Sequence, residues 1–351
     1  MIRLTALATI AFTTVLPQSA AAGDARFDYF SYAGRSQERI TLGPGQYRNP
    51  ILSGYAPDPS IVRAGQDYYL VNSSFTNFPG LPIYHSRDLV TWRQIGNAIS
   101  RFGQFDFSNQ WVSGGIMAPD ISYHNGTFYI VSTNNRNFVI TAKSPQGPWS
   151  DPVWLDFDGI DPSLFWDEDG TAYIVNNGPP DGPAKFPGHR VLWLEAFDPV
   201  AKTTVGPRIP LVGGGENPPH LFWPEGPHIF KKDGWYYLIA AEGGTGPDEK
   251  HSQIVFRSRM IGGPYEAFEG NPILTQANLP ATRPHPVEAA GHAKFVTTPS
   301  GDWWAVFLAA RAYAPTFYNI GRETYLLPVS WSADGWPTIL QHGTAIPFAL
   351  D

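Results

Sequence analysis

Residues 56–71 read APDPSIVRAGQDYYLV, and the chain restates this phrase four more times. The restatements are APDISYHNGTFYIV at 118–131, GIDPSLFWDEDGTAYIV at 159–175, PEGPHIFKKDGWYYLI at 224–239 and GHAKFVTTPSGDWWAVF at 291–307. Each runs from a polar anchor through a short apolar stretch and a polar turn to aromatic and apolar residues. The anchors are Asp58, Asp120, Asp161, Glu225 and His292, and four of the five are carboxylates read as occupying one repeated place. Recurrence of one supersecondary unit predicts stacking in a ring or a line. Within the first copy, Ile61–Arg63, Tyr68–Asn72, Ile83–Ser86 and Trp92–Ile95 alternate with turn signals and read as four short strands. Four antiparallel strands per copy is the make-up of a propeller blade. The expected fold is therefore all-β, a five-bladed β-propeller with blades near 50–110, 111–158, 159–218, 219–283 and 284–348. A linear solenoid would need polar capping repeats, and none is visible.

Composition agrees. The 351 residues include 35 Gly and 34 Pro spread along the chain, 14% aromatics and 12 Trp, a profile of many strands and turns. Net charge is −7 and no basic tract stands out, so neither nucleic acid nor an anionic membrane is an expected partner. The surplus of aromatic rings suits sugar faces as well as core packing. With no Cys, disulfides, thiolate metal sites and cysteine nucleophiles are excluded. Residues 1–22 read as a secretory signal, with Arg3, an apolar Leu4–Leu16 and a small-residue site at Ala20–Ala22, so the protein is expected to be secreted or periplasmic. Residues 23–48 read as an exposed lead-in, and 49–351 as one propeller domain.

The start of each repeat should lie on the innermost strand of its blade. Prolines beside the anchors (Pro57, Pro59, Pro119, Pro162 and Pro224) can aim them toward the axis. Carboxylates gathered at one mouth cannot all ionise, and one is pushed to keep its proton. A protonated acid beside an ionised base is what cleavage of a glycosidic bond requires. A ring of acids holding an ion is the blander alternative.

Several segments together resemble glycoside hydrolase family 43, of the β-xylosidase and α-L-arabinofuranosidase type. They are Asn49–Leu52 with Pro57–Ile61, Phe78–Ser86, Glu225–His228, Glu242–Thr245, Gly291–Ala293 and Gly321–Thr324. The resemblance implies inversion at the anomeric carbon, with Asp58 as the base that activates water, Glu225 as the general acid and Asp161 as the carboxylate that tunes the acid. It implies that His292 holds an axial water or a divalent ion such as calcium, that no organic cofactor is required, and that Phe75 and Arg311 contact the sugar. Arg322 is expected to be structural, and Asp120 to accept backbone hydrogen bonds without taking part in the chemistry. Met117 stands where relatives usually carry Trp, which alters the sugar pocket, and Lys294 should either pair with a carboxylate or run outward. Many relatives carry a C-terminal β-sandwich that helps close the pocket. The present sequence ends at Asp351, which suggests a more open cleft.

The expected function is removal of terminal β-1,4-xylose or α-L-arabinofuranose from plant-cell-wall oligo- or polysaccharide. The rivals are an endo-arabinanase sharing the three carboxylates and a carbohydrate-binding propeller without activity. A fructan hydrolase would need its nucleophilic Asp in an Asn-Asp-Pro-Asn setting, and Asp58 follows Pro57 instead.

Overall fold

A computed structural model describes residues 41–351 apart from 109, 214–220, 246–249, 281, 284–285 and 312–320. The expected leader at 1–22 and lead-in residues 23–40 lie outside the described residues. Among the described residues there is no helix.

A first short strand, β1 (Tyr47–Arg48), precedes five sheets arranged as blades. Blade one holds β2 (Ser60–Ala64), β3 (Asp67–Val71), β4 (Gly80–Ser86) and β5 (Arg93–Ile99). Blade two holds β6 (Met117–His124), β7 (Thr127–Asn134), β8 (Arg136–Ala142) and β9 (Val153–Trp154). Blade three holds β10 (Ile160–Trp166), β11 (Ala172–Gly178), β12 (Val191–Asp198) and β13 (Thr203–Val212). Blade four holds β14 (Glu225–Lys232), β15 (Trp235–Glu242) and β16 (Ser252–Ser258), with β17 (Glu266–Ala267) and β18 (Leu274–Thr275) both on β16. Blade five holds β19 (Val287–Thr297), β20 (Trp303–Arg311) and β21 (Arg322–Pro328). A hairpin of β22 (Ser330–Trp331) and β23 (Pro337–Thr338) follows, and β24 (Ala349–Leu350) pairs with β1. All pairings are antiparallel, and within each blade the first three strands follow one another as a meander.

The core is divided by seam. Ile83 and Phe138 meet between blades one and two, Val131 and Ile174 between two and three, and Val175 and Leu238 between three and four. Ile239 and Phe307 meet between blades four and five, and Leu70 and Leu326 between five and one. The last seam closes the ring and excludes the linear solenoid. Blade five is completed by the segment before blade one. Asn49 accepts from the Leu326 N–H at 2.9 Å and donates to its carbonyl at 2.7 Å, as a strand neighbour would. Leu52 bridges Thr324, and the Tyr47 hydroxyl reaches the Leu326 carbonyl at 3.0 Å. The end of the expected lead-in is thus corrected: Tyr47 is buried in the closing seam rather than exposed, because β21 has no other outer neighbour among the described residues.

Candidate active site

Four of the five innermost strands, β6, β10, β14 and β19, break regularity near their starts, while β2 pairs without a shift just after Asp58. Register shifts fall at Met117/Asp120, Ile160/Ser163, Glu225/His228 and Gly291/Lys294. In each blade one residue there takes a left-handed conformation: Asp58 (φ 48°), Ala118 (45°), Asp161 (55°), Gly226 (54°) and His292 (54°). Pro59, Pro119, Pro162 and Pro227 follow four of them, where a bulge interrupts the ladder and a missing N–H leaves no gap. The anchors of the sequence reading are therefore corrected. Asp58, Asp161 and His292 share one place, but Glu225 stands one residue before it, level with Met117, and Asp120 two after it. The bulge inserts a residue that a count from carboxylate to carboxylate does not see. Partner residues confirm the register, since Ser60, Asp120, Ser163, His228 and Lys294 face Val71, Val131, Val175, Ile239 and Val306.

The bulges carry two layers of polar side chains. In the upper layer Asp58 is buried, yet its Oδ1 accepts from Arg322 at 2.6 Å and its Oδ2 from the Ser73 hydroxyl at 2.5 Å. The Ser73 oxygen in turn accepts the Ala118 N–H at 2.6 Å. Burial alone would raise the Asp58 pKa. Arg322, then His292 and Ser73, outweigh it and hold the carboxyl below its ordinary range, ionised. Asp161 accepts the Gly226 N–H at 3.0 Å, which ties it to the backbone beside Glu225. Burial, and then the negative charges of Glu225 and Asp58, push Asp161 well above the ordinary carboxylate pKa. Glu225 accepts the Trp223 indole N–H at 2.9 Å, and His251 Nε2 lies 3.5 Å from its other oxygen. Burial raises the Glu225 pKa, but His251 and His292 bring it below its ordinary value. The three carboxylates thus form one electrostatic unit with unlike environments. His292 is buried beside Gly226, where a Cβ would stand 2.8 Å from its ring, and burial lowers its pKa.

In the lower layer Asp120 accepts from Ser60 at 3.0 Å, from the Leu164 N–H at 3.0 Å and from the Lys294 ammonium, with His228 Nδ1 at 3.6 Å. Lys294 also reaches the Ile121 carbonyl at 2.7 Å. Lys294 therefore pairs inward. A divalent ion such as calcium takes six or more oxygen ligands. Beside His292 stand the carboxylates Asp58 and Glu225 as well as His251 and Arg322, while Asp120, the carboxylate of the lower layer, holds the Lys294 ammonium. Among the described residues no group of three His, Cys, Asp or Glu is placed to hold a metal.

Around the upper layer the Phe75 ring lies 6.0 Å from Tyr55 and under Arg322 at 5.4 Å, so Phe75 does border Asp58. Arg311 is buried and doubly bonded to Glu323, at 2.5 and 2.7 Å. Arg322, read as a guanidinium set against carboxylates at the closing blade, is the one on Asp58. The two arginines lie on adjacent strands of blade five, and only the pairing with Glu323 separates their roles. Met117 stands at the level of Glu225 two blades away, and its carbonyl accepts the Ser132 hydroxyl at 2.7 Å. Ser73, Trp223, His251 and Arg190 (4.9 Å over the Trp223 ring) were missed, because none of them lies in a repeated position.

A five-bladed propeller with three coupled carboxylates at one mouth of its axis defines the class as an acid–base site open to a neutral ligand. The glycosyl hydrolases family 43 model matches residues 47–337, and the chain belongs to that family. It is 42% identical over 313 residues to a non-reducing end α-L-arabinofuranosidase, BoGH43B, of Bacteroides ovatus, covering 87% of this chain and 55% of that protein. It is 45% identical over 298 residues to a xylosidase/arabinosidase of Butyrivibrio fibrisolvens, covering 83% and 56%. A crystal structure of a GH43_12 protein retrieved from a capybara gut metagenome matches with a TM-score of 0.82 at 42% identity, covering 89% and 58%. The chain spans about half the length of the curated relatives it matches.

Proposed function

We propose that the chain is an inverting glycoside hydrolase that removes terminal α-L-arabinofuranose or β-xylose from plant-cell-wall oligo- or polysaccharide. The observation that carries this reading is the meeting of Asp58, held ionised by Arg322, with Asp161 and Glu225, whose charges oppose one another so that a proton stays on that pair. Asp58, held ionised by Arg322, is the base that takes a proton from water as its oxygen attacks the anomeric carbon. Glu225 gives a proton to the departing glycosidic oxygen. Asp161, protonated or ionised according to the charge on its neighbours, sets how tightly Glu225 keeps that proton. Phe75 and Tyr55 offer an aromatic wall beside Asp58, and Trp223 a second one beside Glu225. Acid, base and water suffice, so no cofactor enters the reaction. The names of the two relatives support a terminal pentose over an internal arabinan linkage. Export, read from residues 1–22, belongs to the same proposal, because polymeric substrate lies outside the cell.

Aryl β-xyloside, aryl α-L-arabinofuranoside and linear arabinan separate the options. Release of free pentose from one of the aryl glycosides, abolished by Asp58→Asn, supports the reading. Activity on linear arabinan alone would replace it by the endo-acting alternative.

A further inference from the structure

His251 sits just before β16, at the end of blade four that bears Glu225, and is 1% exposed. Its Nδ1 lies 3.0 Å from the Ala289 carbonyl. A carbonyl only accepts, so Nδ1 carries the hydrogen. The bulge of β19 between Glu288 and Gly291, with Ala289 left-handed (φ 54°), presents that carbonyl. Gly291 makes room, since a Cβ there would stand 2.7 Å from the imidazole. The tautomer being fixed, a neutral His251 turns the lone pair of Nε2 toward Glu225 Oε1, 3.5 Å away. Nε2 is buried and, among the described residues, has no hydrogen-bond partner. A lone pair facing a carboxylate oxygen is repulsive, so one proton must lie between them, on the carboxyl or on the imidazole.

Resting on the proposed role of Glu225 as general acid, we propose that His251 is a positioning residue for that acid. In this reading Glu225 and His251 hold a single proton in common, and the pair delivers it to the leaving oxygen through Glu225. When the glycosidic bond breaks, the proton leaves Glu225 for the departing alcohol. The water proton goes to Asp58. Asp58 then releases its proton to solvent, and a proton from solvent restores the pair. The other charged groups facing this pair are Asp58 before β2, Asp161 on β10, Arg190 before β12, His292 on β19 and Arg322 on β21. None of them is the hydrogen-bond partner of Nε2.

The test compares Glu225→Gln and His251→Gln on two aryl pentosides, one with a poor and one with a good leaving group. An amide at 251 cannot carry the shared proton. Both variants should lose about 100-fold or more in kcat on the poor leaving group and less than about 10-fold on the good one. In His251→Gln, KM should stay within about 2-fold and the alkaline limb of kcat/KM should move to lower pH. Equal loss on both substrates with an unmoved alkaline limb would reduce His251 to a packing residue and overturn the proposal. So would full activity. If Glu225→Gln itself shows no dependence on leaving group, the acid assignment falls and the proposal with it. Should His251→Gln fail to fold, 15N-histidine NMR of the native protein and of Glu225→Gln decides. Loss of the Nε2 proton at lower pH in the variant supports the pair, and an unchanged midpoint overturns it.

Discussion

Arg322 sets the charge of Asp58. A buried carboxylate 2.6 Å from a guanidinium loses its proton at lower pH than a free one. The base should therefore stay active well into the acid range. Arg322→Met removes the largest lowering influence and leaves burial unopposed, so the acid limb of kcat/KM should move to higher pH, while activity at the optimum falls. An acid limb that stays in place would show that Arg322 does not act on Asp58. Asp161 carries the opposite sign. Its pKa is raised in the folded protein, so its contribution to stability is fully present below the ordinary carboxylate pKa and is lost as pH rises through the raised value. Asp161→Asn keeps an oxygen for the Gly226 N–H and removes the charge. It should lower activity yet raise the thermal midpoint at pH 7, by roughly 2 °C per kcal/mol relieved, with no gain near pH 3. Differential scanning calorimetry at the two pH values checks this. The identities of Asp58, Asp161 and Glu225 were legible because carboxylates beside prolines recur. Which carboxylate each of Arg311 and Arg322 holds was not, because the two arginines lie on neighbouring strands and their pairing depends on where Glu323 points, which periodicity does not record.

The left-handed residue at or just before the head of each inner strand, joined by a bulge in four of the five, is what turns a repeat into a site. A regular strand would alternate its side chains between faces. The extra left-handed residue lets Asp58, Asp161 and His292 share one level, with Glu225 joining from the preceding position. Where that residue is Gly226, the choice is enforced. At φ 54° and with His292 carbons 2.8 Å from a would-be Cβ, Gly226→Ala meets both backbone strain and a ring. It should destabilise the fold by more than about 1 kcal/mol and displace Glu225, visible as a lowered thermal midpoint with loss of activity. A second device repeats in three blades. Trp92, Trp149 and Tyr265 each follow a turn and bond back to the carbonyls of Leu89, Pro145 and Ile261 at 2.7, 3.2 and 3.1 Å. The bulge register itself was hidden because attention to acids obscures the better ruler, the prolines at 59, 119, 162 and 227.

Blade number, strand order and ring closure follow from five repeats whose faces are apolar on both sides. What holds the ring at its axis is a single carboxylate. Asp120 of blade two binds Ser60 of blade one, the Leu164 N–H of blade three and Lys294 of blade five, with His228 of blade four at 3.6 Å. Lys294→Met would leave that buried charge without its cation. A loss of about 3–5 kcal/mol is expected in denaturant unfolding, as for other broken buried pairs. A change under about 1 kcal/mol would show that the lysine is dispensable.

All of the chemistry proposed above turns on Asp58 activating water on the face of the sugar opposite Glu225. Proton NMR of the first sugar released from an aryl pentoside reads the outcome before mutarotation. The account predicts that the initial product has the anomeric configuration opposite to that of the substrate. An initial product with the substrate's own configuration would mean a covalent sugar intermediate, and Asp58 would then not be the base for water.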